Sequence, residues 1–125
     1  MLNISSVASE RTMSNGGISI HVKSGKEPAD GYMVAFYGAC TMWLRGDDVT
    51  DPARREAAIR TFMDKNEKLL SDPDNYLGTW FDTETGDISV DISKRFNNKE
   101  DALTYGRGHN AKAIWDVKNQ RDIPT

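Results

Sequence analysis

The chain of 125 residues contains a single cysteine, Cys40. No disulfide can close within it, one chain cannot assemble a thiolate metal cluster, and a reducing compartment is the expected setting. Long apolar runs are missing too. No segment approaches the ~20 consecutive apolar residues that a membrane helix needs. The opening Met1-Leu2-Asn3-Ile4-Ser5-Ser6 has neither the basic nor the apolar region of a signal peptide. These absences predict a soluble protein of the cytoplasm, with no membrane partner. Charge of one sign is also lacking: sixteen basic residues against nineteen acidic ones leave a formal net charge of -3, and no Lys/Arg run exceeds two residues. The basic footprint of a direct nucleic-acid binder is therefore not there. The acidic residues are scattered rather than blocked, which argues against mimicry of a phosphate backbone.

Catalytic signatures are equally scarce. The chain has no Walker, dinucleotide or Gly-x-Ser-x-Gly fingerprint, and Ser14-Asn15-Gly16-Gly17 and Gly106-Arg107-Gly108 are too short to cradle a phosphate. His21 and His109, the only imidazoles, stand in no metal-ligand spacing. Cys40 sits in an apolar run and reads as a small core residue rather than as half of a thiol–imidazole dyad. Asp82, Glu84 and Asp87 surround one turn, but they lack the twelve-residue calcium-loop pattern and its terminal Glu, so turn chemistry accounts for them. No cofactor is expected.

What the chain does contain is clear alternation. Ile18, Ile20 and Val22 alternate with Ser19 and His21, the period of a strand with one buried face. Tyr32 to Tyr37 is an apolar β-type run, continued past Gly38 by Cys40 to Leu44; Gly46-Asp47-Asp48 reads as a turn. A helix follows from Pro52 to about Leu70, capped by Thr50 or Asp51, with Ile59, Phe62, Met63, Leu69 and Leu70 on one stripe interrupted by Asn66. Its charged residues, Arg54, Arg55 and Arg60 among them, mostly occupy the other faces. Tyr76 to Asp82 and Asp87 to Ser93 make a hairpin, with Gly86 at the position that needs a left-handed residue. Asn97 or Asn98 caps a short helix from Lys99 to about Arg107, and Ala113 to Val117 is the last strand. The order β-β-α-β-β-α-β, with a further strand after the second, predicts an α+β fold: a mostly antiparallel sheet of four to five strands with two helices packed on one face. Residues 1–16 read as a flexible arm, 17–118 as the domain and 119–125 as a polar tail.

The segments Gly31-Tyr32-Met33-Val34-Ala35, Asp72-Pro73-Asp74-Asn75-Tyr76-Leu77-Gly78-Thr79-Trp80, Val90-Asp91-Ile92-Ser93 and Asn110 to Asp116 together resemble a family of small proteins encoded by bacteriophages and other mobile elements. Similar stretches occur in that family as domains appended to large phage polyproteins. The resemblance spans about residues 31–117. Its motifs are structural, so it implies a genetic context and no mechanism. The first thirty residues and Gly38–Asp48 depart from its pattern.

Aromatics are the remaining asset. Trp43, Trp80 and Trp115, with Tyr32, Tyr37 and Tyr76, are a large supply for so small a core. A sheet covered on one side leaves an open face on which some of them can meet a partner. The residues expected there are Trp80, Tyr76, Tyr37, Trp43, Asp47 and Asp48, while Trp115 is expected in the core. The expectation is a phage-encoded, non-enzymatic factor that binds a host or phage protein in the host cytoplasm, as an inhibitor of host defence of the anti-CRISPR or anti-restriction type. A homodimer is left open. One alternative is a minor capsid or decoration protein of the virion, docked through the arm. Another is a metal-dependent enzyme using the strand-end carboxylates Asp82, Asp91 and Asp116.

Overall fold

The computed structural model describes residues 3–35 and 41–125. In chain order the elements are α1 (Ile4–Asn15), β1 (Gly17–Ile20), β2 (Tyr32–Ala35), β3 (Met42–Leu44), α2 (Asp47–Thr50), α3 (Pro52–Lys65), α4 (Glu67–Leu70), β4 (Asn75–Phe81), β5 (Ile88–Phe96), α5 (Lys99–Gly108), β6 (Ala113–Asp116) and β7 (Arg121–Pro124). The α+β class holds. The sheet is larger than the four to five strands expected: seven strands among the described residues, in the order β1-β4-β5-β2-β6-β7, with β3 also paired to β5. Every pairing is antiparallel.

β5 organises the sheet. One of its edges takes β4 along the whole hairpin, from Phe81↔Ile88 to Asn75↔Lys94. Its other edge is shared end to end by β3, through Leu44↔Ile88, and β2, through Ala35↔Ser93. The hairpin turn forms as its sequence demands: Asp82 N–H donates to Asp87 C=O at 2.8 Å, and Gly86 takes φ +76. Alternation then sorts the side chains by face. Ile88, Val90 and Ile92 of β5 point one way with Leu77, Ile18, Ile20 and Leu44, and bury against Ile4, Ala8, Val49, Ile59, Phe62 and Leu70 of the helices. α5 closes a second cluster on the same side, where Ala102 and Leu103 meet Val34 and Ile114. All the helices that pack on the sheet do so on this one face.

Four expectations about local structure need correction. The first concerns residues 1–16. From Asn3 onward they are not a free arm: α1 occupies residues 4–15, with Ile4, Ser5, Ala8, Ser9 and Thr12 buried. Its stripe is mostly small and polar, so it gives little apolar periodicity, but those hydroxyls have partners. Arg55 Nε donates to Ser9 Oγ at 2.8 Å, and Thr12 Oγ1 lies 2.5 Å from Thr79 Oγ1 on β4. Arg55 is itself buried, its guanidinium also donating to Val49 C=O at 2.5 Å, so this arginine is an α1–α3 tie rather than a surface residue. The ends were written in sequence: Asn3 Oδ1 accepts from Ser6 N–H, and Gly16 turns out at φ +84.

Second, the polar tail contains β7, which pairs with β6 from Asp116↔Arg121 to Ala113↔Pro124. Ile123 packs on the α5 cluster, and Thr125 N–H donates to Lys112 C=O at 3.1 Å. Third, the long helix breaks at Asn66, whose side chain donates to Phe62 C=O at 2.9 Å and draws the chain off helical φ and ψ. α4 restarts at Glu67 and leaves Leu69 exposed. Fourth, Gly46-Asp47-Asp48 leads into the helical turn α2 rather than forming a bare turn. By contrast α5 matches its expectation, Asn98 Oδ1 accepting from the Glu100 and Asp101 N–H groups.

The docking of α1 makes a direct prediction. Thr12→Val leaves the buried Thr79 hydroxyl without its partner and is expected to cost about 1–3 kcal/mol in urea unfolding. The double variant Thr12→Val/Thr79→Val should recover much of that loss, because the polar groups leave together. A free arm would give no loss in either case.

Candidate functional site: the uncovered sheet face

The same alternation that builds the core places a second set of side chains on the face without helices. From β5 these are Ser89, Asp91 and Ser93; from β4, Tyr76, Gly78 and Trp80; from β3, Trp43; from β6, Trp115. The chain has three tryptophans, and all three lie on this face. They are 45%, 55% and 36% exposed for Trp43, Trp80 and Trp115, which corrects the core placement expected for Trp115. Their partners in register are Ser89 for Trp43, Gly17 and Ser89 for Trp80, and Met33 and Asp122 for Trp115. Tall indoles at the margins and small residues between them make a trough of about 890 Å³, rimmed by Glu27 and Pro28 of the β1–β2 connection and by Asp122 of β7.

Trp43 and Trp80 both stand opposite Ser89, one from each side of β5. Two strand spacings, roughly 10 Å, therefore separate their backbones, with a serine between them. Asp91 is the next residue of β5 on this face. It is diagonal to both indoles, a relation that puts Cβ atoms about 7–8 Å apart. Its β4 neighbour is Gly78, which is buried, and a methyl group there would overlap Asp91 Oδ1. The glycine makes the room into which the carboxylate leans.

The charge of the trough is all of one sign. Glu27, Asp91 and Asp122 are its charged lining residues, and no Lys or Arg lines it among the described residues. Glu27 is neutralised at the rim by Arg11, at 3.0 Å. Arg95, further along β5 on this face, is committed to Asp30 and Asn97. Asp91 has no hydrogen-bond or ion-pair partner among the described residues. Burial pushes its carboxyl up from the ordinary 3.8 to about 6. At neutral pH it is ionised in a place where ionisation is unfavourable and uncompensated. Groups of this kind concentrate at sites of function.

The other expected positions divide. Tyr76 is on the open face, half-buried with its ring edge-on to His21 at 5.7 Å. Tyr37 lies outside the described residues, as does Cys40. Asp47 and Asp48 sit in α2, whose Val49 belongs to the helix-side core, and both pair with Arg54. They are first-turn residues of α2 in the helix layer and do not join the trough. The strand-end aspartates do not converge either. Asp82 Oδ1 accepts from Glu84 N–H inside the hairpin turn. Asp116 points to the helix side, where the Asn119 amide donates to it at 2.8 Å and holds its carboxyl below the usual range. Only Asp91 faces the trough. Among the described residues no three His, Cys, Asp or Glu side chains come together to hold a metal ion, and no helix is long and apolar enough to cross a membrane. His109 stacks on Tyr105 at 4.0 Å, remote from this face.

The Asp91 environment fixes the sign of a pH effect. Its folded-state pKa lies above the unfolded value, so its contribution is fully favourable below about pH 4 and is lost as pH rises through about 6. Asp91→Asn is expected to stabilise the protein by roughly 2–3 kcal/mol at neutral pH. The two proteins should converge near pH 4. Thermal or urea unfolding across that window reads the difference; parallel curves for both proteins would show that Asp91 is not desolvated.

No protein-family model matches this chain, and neither a curated protein nor a solved structure matches it.

Proposed function

We propose that this protein is a non-enzymatic binding factor that engages another protein through its uncovered sheet face. The observation that carries the reading is the placement of all three tryptophans, exposed, on the one face without helices. Leaving three indoles in water gains nothing for folding. Tryptophan is the residue most enriched among those that dominate protein–protein binding energy. The small-residue floor between them gives the pocketed relief that a partner's side chains fill.

The resemblance to proteins of bacteriophages and mobile elements makes a host or phage protein the natural partner, and inhibition of a host defence system the concrete form of the activity. The virion alternative leaned on a free N-terminal arm. Since α1 is spent on the protein's own core, that alternative loses its docking element. The metal-enzyme alternative needs Asp82, Asp91 and Asp116 together, and they face different ways.

The test is capture by the tagged protein from lysate of its host, comparing wild type with Trp43→Ala/Trp80→Ala. Wild type is expected to retain a stoichiometric partner that the double variant loses. The melting temperatures of the two should agree within a few degrees, because exposed positions contribute about ±0.5 kcal/mol to stability. Equal capture by both, or no partner at stoichiometric yield, counts against the reading.

A further inference from the structure

We infer that the trough is a receptor for an arginine side chain of the partner, its guanidinium stacked on the indoles of Trp43 and Trp80 and paired with the Asp91 carboxylate. The inference rests on the open face being the protein-binding surface, and it names the chemistry that surface selects.

Three features converge on a cation. The trough walls are indoles, whose π faces attract positive charge. The charged residues of its lining among the described residues are all acidic. Asp91 leans over Gly78, one step along β5 from the Ser89 row that carries the two tryptophans, without a partner among the described residues, so a cation entering there meets a carboxylate with both oxygens uncommitted. The chain already shows the pairing at the rim. Arg45 stands 6.0 Å from the centre of the Trp43 ring while its Nε donates to Asp87 at 3.1 Å. One indole and one carboxylate thus already flank a guanidinium here, and inside the trough Trp80 and Asp91 are the same two groups as diagonal neighbours on β4 and β5.

Guanidinium fits better than ammonium for physical reasons. It is planar and stacks on an indole, it offers two parallel N–H groups to a carboxylate, and it loses less hydration on entering a desolvated site. The slot between Trp43 and Trp80 is floored by Ser89, which leaves a flat group free to lie between them.

The tryptophans themselves are the reporters, since every indole N–H signal in the protein comes from this face. The experiment titrates the full chain with a Gly/Ser peptide carrying spaced arginines, and with the same peptide in which citrulline, neutral and nearly the same shape, replaces each arginine. The arginine peptide is expected to shift the Trp43 and Trp80 indole signals saturably. The citrulline peptide should bind about tenfold or more weakly, the loss of a charge-assisted pair. Asp91→Asn should abolish the preference while keeping the amide spectrum of the folded protein. Equal binding of the two peptides, tighter binding of a lysine peptide, or an unchanged preference in Asp91→Asn overturns the inference. The lysate capture separates the two levels. If Asp91→Asn keeps the partner that Trp43→Ala/Trp80→Ala loses, the face binds protein but not through a guanidinium. If neither substitution matters, the reading of the face itself falls.

Discussion

The strict alternation of β5 is the constraint on which everything else depends. Ile88, Val90 and Ile92 must go to one side and Ser89, Asp91 and Ser93 to the other, because successive side chains of a strand point to opposite faces. β5 pairs with three strands, so its choice propagates across the sheet. The isoleucine side gathers the helices, and the serine side is left open. A register slip of one residue would turn Asp91 into the core and Ile92 into water, which is why the pairing is well specified.

Covering one face only has a physical consequence. The helix layer is held by ordinary apolar burial plus a few buried polar ties, of which Arg55–Ser9 and Thr12–Thr79 are the clearest. The open layer is not optimised for stability. It carries an uncompensated carboxylate whose ionised form costs free energy, and three large apolar rings in contact with water. Natural proteins tolerate such features where function requires them. Indoles, acidic lining residues and a carboxylate over a glycine occur together in one trough among the described residues, and none of them supports the fold.

Much of the scaffold was legible in advance. The 82–87 turn, the Asn98 cap, the Pro52 helix start and the alternation of β4 and β5 follow from local rules that tertiary context did not override. α1 was not legible because its buried face is Ser5, Ala8, Ser9 and Thr12, whose burial is licensed by partners more than forty residues away. β7 escaped for a similar reason: Arg121, Asp122 and Pro124 carry no apolar alternation, and only pairing with β6 makes them a strand. Of the site, Trp43, Trp80 and Tyr76 could be picked out as aromatics on an open face. Asp47 and Asp48 were not legible as helix-layer residues, because acidity marks a helix start as readily as an open-face position.

The sequence by itself determined the fold class, the hairpin, the helix starts near Pro52 and Lys99 to within a residue and the apolar face of β5, because each depends on residues a few positions apart. Only the tertiary structure decided that Trp43, Trp80 and Trp115 share one face and that Asp91 lies diagonal to two of them. It also decided that, among the described residues, no basic residue lines their trough. Those relations join β3, β4, β5 and β6 across more than seventy residues of chain. They are set by strand order and register, which nonlocal pairing alone fixes.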